Sequence, residues 1–164
     1  MKKQEIFDVV KRIAPKHGLD PYLVMGVIVQ ESQDRHNSGE CNPFIPRLEE
    51  GFEERYINYK MNFGTVAGAL LAISFGFMQL MAESLRELGY FGDNIDCLVM
   101  PQMIERYVNS PEDMIETGCQ WLVRKIKDAG GDIDGGLQRW NGGSDADYHT
   151  KVRAHAEQLK GEVQ

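Results

Sequence analysis

Apolar residues at Ile6, Val9, Val10 and Ile13 recur at the i, i+3, i+4, i+7 spacing of one helix face. The spacing predicts a helix over roughly 3–16, ended by Gly18. Asp20 and Pro21 then form an N-cap and first-turn pair, and YLVMGVIVQES reads as a mostly apolar helix, buried on nearly all sides and ending near Asp34. Met78, Met81, Leu85 and Leu88 also fall at helical spacing before Gly89, which predicts a short helix opening close to Gly76.

A Gly-rich, Pro-containing connection follows. Ser110, Pro111, Glu112 and Asp113 then make a strong helix start, with Met114, Ile115, Gly118, Cys119, Leu122 and Ile126 on one stripe as far as Asp128. Asp134 is placed to cap a short turn through Leu137 and Trp140, and Asp145 to start a last helix carrying Tyr148, Val152, His155 and Leu159. Gln33 to Phe75 is the least legible stretch, mixing Asn, Gly and Pro with charge, although EEGFEERYINYKM fits one helix. With no repeat and no long alternating run, the expected class is mainly α, with a small β-hairpin in the 36–75 region.

The chain of 164 residues suits one domain, taken as 1–164, whose folding hides roughly two-thirds of the unfolded surface. Its formal net charge of −7 denies it the positive field that nonspecific nucleic-acid binding needs. No stretch reaches the roughly 18 uncharged apolar residues of a membrane span, and the charged start predicts no signal peptide. Cys41, Cys97 and Cys119 are expected to be thiols. No two of them stand at a short ligand spacing, and His149 and His155 point to different helix faces, so no metal and no cofactor is expected.

On the second helix, Val24, Ile28 and Glu31 stand at i, i+4 and i+7, so a carboxyl continues the apolar stripe. Loss of hydration there disfavours the charged form and raises the pKa, the condition for a general acid near neutral pH. The same spacing also fits an exposed last-turn carboxylate or an ion pair with Arg35. Downstream, Phe77, Met78 and Met81 fit core packing as well as a groove lining, and Trp140 fits either a core position or a flat face for a sugar ring.

Four motifs occur in order: Glu31-Ser32, Gly76-Phe77-Met78-Gln79, Gly118 with Trp121-Leu122, and Trp140-Asn141-Gly142-Gly143. Together they resemble soluble lytic transglycosylases of the lysozyme superfamily, over roughly 120 residues. The resemblance implies a lysozyme-like fold and cleavage of the β-1,4 bond between N-acetylmuramic acid and N-acetylglucosamine in peptidoglycan, leaving a 1,6-anhydro end. It implies Glu31 as the single general acid and base, with Ser32, Gly76, Phe77, Met78, Gln79, Trp140, Asn141 and Tyr148 around the substrate. Tyr148 would bring its hydroxyl near Glu31, Gln79 would offer donors and an acceptor, and Met78 would line the groove.

The spacing departs from the family where Asn42-Pro43 lies 11 beyond Glu31, which implies an insertion. The stretch Phe44 to Phe52 is similar to phage and prophage enzymes, in which Arg47 and Glu49 would form either a cleft-shaping pair or a surface pair. Two rival readings remain. One is a goose-type-like lysozyme that uses water, with Asp34, Glu49, Glu50 or Asp93 positioning it; the other is an inactive glycan-binding or virion module. In each case the expected partner is a peptidoglycan glycan strand, bound by a monomer made in the cytoplasm and acting at the cell wall.

Overall fold

The computed structural model describes residues 1–32, the backbone of 47–48, and residues 51–63, 65–92 and 99–162. Helix α1 (Lys3–Ile13) buries Ile6, Val9, Val10 and Ile13. It tightens into a 3-10 turn over Ala14–His17, closed by Gly18 in the left-handed region at φ 71°. The helix expected to reach residue 16 changes pitch here because Pro15 has no N–H for the α-helical ladder. Asp20 Oδ1 accepts from the Tyr22 backbone N–H at 2.9 Å, and α2 (Pro21–Ser32) buries every residue from Leu23 to Val29.

Helix α3 (Phe52–Phe63) fits the one foreseen in that stretch, and α4 (Thr65–Leu71), which was not foreseen, packs on it. Gly68 reads as a loop residue, yet it serves close packing: a Cβ there would sit 2.6 Å from the Lys60 backbone nitrogen. Strands β1 (Arg47–Leu48), β2 (Ile73–Phe75) and β3 (Leu80–Met81) form an antiparallel sheet in that order, with Ser74 opposite both Arg47 and Met81.

Two strands of this sheet come from the region expected to hold a hairpin. The third lies past Gly76, so Gly76–Gln79 is the β2–β3 turn and not a helix start; α5 (Ala82–Glu87) begins only at Ala82. The reason is local. Gly76 at φ 80° and Gln79 at φ 48° are both left-handed and cannot continue a right-handed helix.

The connection after Gly92 also holds an unforeseen helix, α6 (Met100–Val108), with Pro101 in its first turn, where a missing N–H costs no ladder bond. Helix α7 (Pro111–Asp128) starts as expected, the Ser110 hydroxyl accepting from the Asp113 N–H at 3.2 Å. Helix α8 (Ile133–Trp140) is capped by Asp132 rather than Asp134, through bonds to the N–H groups of Asp134 and Gly135. The last helix, α9 (Tyr148–Glu162), buries Tyr148, Val152 and Leu159, while His155 is half-buried.

The architecture is mainly α, with α2 through the centre of the core. Helix α9 lies along α2 so closely that a Cβ on Gly26 would stand 2.5 Å from the Val152 carbonyl oxygen. Helix α1 and its 3-10 turn lean on α7, with Arg12–Glu112 at 3.0 Å and His17–Glu116 at 2.8 Å. No described helix is long and apolar enough to cross a membrane. Cys119 is a free thiol whose burial pushes its pKa up to about 12; Cys41 and Cys97 lie outside the described residues.

Gly26→Ala drives a methyl into rigid backbone, so α2 and α9 must part; we expect a loss of about 1–3 kcal/mol, read as a fall in Tm of about 3–10 °C. His155, whose Nε2 lies 3.3 Å from Gln30 Oε1, titrates below its ordinary 6.5 because burial and then Lys3 oppose its charge. The unfolded chain therefore takes up this proton first. The contribution is present above pH 6.5 and lost as pH falls toward the lowered folded value. Urea denaturation of His155→Gln should show a shallower stability decline between neutral and mildly acidic pH than the parent, and parallel curves would contradict the assignment.

Candidate active site

The last turn of α2 carries its apolar stripe out of the core. Val24 and Ile28 are fully buried, and Glu31, one step further along the same stripe, is half-buried at the wall of a groove of about 390 Å³. The carboxyl is therefore not sealed in a dry interior; it opens onto a ligand-sized cleft. Ser32 turns away, its hydroxyl donating to the Ile28 carbonyl at 2.7 Å, and does not line the groove.

Two donors converge on one Glu31 oxygen. The Tyr148 hydroxyl donates to Oε1 at 2.6 Å from the first residue of α9, and the Trp140 indole Nε1 donates to the same oxygen at 3.3 Å from the last residue of α8. Tyr148 is 2% exposed, so its ring is fixed by core packing and its hydroxyl has little freedom to leave. Both of these donors address Oε1. The corner thus distinguishes the two oxygens of one acid.

Gln79 reaches the groove from the β2–β3 turn, and its Nε2 also donates back to the Gly76 carbonyl at 2.9 Å. A non-glycine residue at φ 48° is a strained conformation, here braced by that side-chain bond. Phe77 and Met78 face the other way and are fully buried, so neither side chain lines the groove. The methionine fills a notch in α7, where a Cβ on Gly118 would overlap its sulfur. Gly76 is required for a related reason: a Cβ there would press on Tyr107 and Met114 at 3.0–3.1 Å. These residues build the turn, and Gln79 is the one that reaches the groove.

Asn141, next to Trp140, lines the groove with its Nδ2 buried and without a hydrogen-bond partner among the described residues. An orphaned buried donor beside an acid, in a cleft, is a group awaiting an acceptor. Arg47 shares the sheet with Ser74 through its backbone, but its side chain and Glu49 lie outside the described residues, as do Asp34, Arg35, Asn42, Pro43, Glu50 and Asp93.

The sequence reading missed several groove residues: Ser74, 1% exposed, Arg55 from α3, Glu83 from α5, and Arg124, Lys125 and Arg139 from α7 and α8. Only Arg139 carried a signal, through its position beside Trp140; Ser74 is an uncharged strand residue, and the others are charged residues of ordinary helix faces. Among the described residues no group of three His, Cys, Asp or Glu side chains is placed to hold a metal ion.

Compared with known protein families, curated proteins and solved structures, the chain finds no match in any of the three. The residues themselves therefore carry the functional argument. Tyr148→Phe removes one hydroxyl and keeps the buried ring. It should cost about 1–3 kcal/mol, the range for leaving a buried hydrogen-bonding group without its partner, and a Glu31→Gln/Tyr148→Phe double-mutant cycle in urea should show coupling of comparable size. Additive single effects would mean that the 2.6 Å contact is energetically idle.

Proposed function

We propose that this protein is a peptidoglycan lytic transglycosylase of lysozyme-like fold, with Glu31 as its only acid–base group. The observation that carries this reading is the convergence of Tyr148 and Trp140 on one oxygen of a half-buried carboxyl in a groove. Support comes also from the Asn141 amide, a donor suited to a sugar hydroxyl or acetamido carbonyl, and from the Trp140 ring at the groove wall.

In the proposed reaction Glu31 gives its proton to the glycosidic oxygen as the bond to the muramic acid anomeric carbon breaks. The substrate's own acetamido oxygen stabilises the positive charge left on that carbon. Glu31, now a carboxylate, takes the proton of the C6 hydroxyl of the same sugar as that oxygen attacks the anomeric carbon. The 1,6-anhydro ring closes, and the acid is restored with no water consumed. Intramolecular attack has a high effective concentration, which lets one carboxyl serve where hydrolysis usually needs two.

The groove's other described carboxylates are Glu83, Glu87 and Asp128; Glu87 is held by Arg124 at 3.1 Å, and Asp128, at the end of α7, is exposed. The engagement of Glu87 supports the single-carboxyl scheme over the hydrolytic alternative. The enzyme is proposed to act as a monomer on wall strands, reaching them by a membrane lesion or a virion, as suits a phage or prophage origin.

Digestion of purified peptidoglycan followed by mass spectrometry of the fragments should yield 1,6-anhydromuramic ends. Glu31→Gln should lower the rate by about 10²–10⁴-fold, the span for loss of a general acid–base group. Ordinary reducing ends would replace the proposal with hydrolysis, and an active Glu31→Gln protein would remove Glu31 from the chemistry.

A further inference from the structure

The groove differs from the rest of the molecule in charge. The chain carries −7, yet the groove lining balances Arg55, Arg124, Lys125 and Arg139 against Glu31, Glu83, Glu87 and Asp128. Helix α5 supplies Glu83 and Glu87, while α7 and α8 supply the three cations Arg124, Lys125 and Arg139 together with one carboxylate, Asp128.

One pair of these charges is already engaged, since Arg124 bridges to Glu87 across the groove at 3.1 Å. Three cations have no acidic partner among the described residues, and one of them, Arg55 on α3, lies against the Met81 sulfur at 3.2 Å. The Lys125 ammonium stands 4.5 Å from the centre of the Trp121 ring, which holds it in place without neutralising it, and Arg139 has no acidic partner among the described residues. Arg139 immediately precedes Trp140, whose indole touches Glu31, so the uncompensated charge begins beside the reacting acid. Uncompensated cations in a polar groove select an anionic ligand group.

We propose that Lys125 and Arg139 bind the carboxylates of the peptide stem that branches from the muramic acid beside the scissile bond. The inference rests on the transglycosylase reading: a bare polymer of N-acetylated sugars has no anion to offer these side chains, whereas a peptide-bearing strand does. The enzyme therefore selects stem-bearing strands with free carboxylates.

The test compares wall strands with free stem carboxylates against strands in which carbodiimide and ammonia have converted them to amides. Binding is measured by co-sedimentation with Glu31→Gln protein, which leaves the strands intact, and cleavage with the parent enzyme. Strands with free carboxylates should bind about tenfold more tightly, the effect expected of two partly exposed charge pairs. In a Lys125→Gln/Arg139→Gln background, shown to be folded by its circular dichroism and Tm, the ratio should fall to about one. Equal binding of the two preparations, or a preference that survives the double substitution, overturns the inference. Discrimination in binding with no cleavage of either preparation by the parent would retain the stem site and sink the transglycosylase reading.

Discussion

The approach of α9 to α2 is the constraint on which the rest of the candidate site depends. Because Gly26 has no side chain, the Val152 carbonyl can come within a distance that any Cβ would forbid, and α9 lies flush along the central helix. That contact sits between the ends of α2, whereas Glu31 sits near its C-terminal end. Rigid helices transmit the alignment, so that Tyr148, at the start of α9, reaches Glu31 near the end of α2 at 2.6 Å. The carboxyl is oriented by core packing several residues away, and little of that orientation comes from loops.

A second close fit holds the opposite wall. The β2–β3 turn presents Gln79 to the groove only because Phe77 and Met78, in the middle of the turn, are anchored in the core, and Met78 is admitted by the notch at Gly118. The fit offsets the cost of a left-handed glutamine by burying two large side chains beside it. Both walls therefore follow one pattern. A glycine on a helix admits a neighbour, and the neighbour's packing aims a polar side chain into the groove.

Much of the helical frame was legible in the sequence, and its failures have common causes. Helices α1, α2, α7 and α9 carry strong stripes with Ser, Asp or Gly at their ends, and periodicity found them. Helix α6 was hidden because Pro101 was read as a breaker although it stands in a first turn, and α4 because Gly68 was read as a loop although it is a packing contact. The turn at Gly76 was misread as a helix start because Met78 and Met81 happen to stand at helical spacing, which does not reveal a left-handed φ. For the candidate site, spacing put Glu31 on an apolar stripe, but no local pattern foretold that the stripe opens onto a groove. Nor could it separate the buried Phe77 and Met78 from Gln79, since all three belong to one motif and only the fold sorts their directions.

The charge distribution adds a constraint of its own. On the proposed reading the partner is an anionic wall, and an acidic chain gains nothing from long-range attraction to it, because its net field repels and salt screens what remains beyond about 10 Å. Recognition then has to come from contacts made inside the groove. There the indole of Trp121, 8% exposed beneath Arg124 and Lys125, gives two cations a fixed apolar support without consuming their charge. Placing them on α7, which carries the Gly118 notch and packs on α8 with its Trp140, couples the charged wall to the same packing that aims Glu31. On the proposed reading, binding energy gained from a charged branch is available at the reacting bond, since both are fixed to one rigid set of helices.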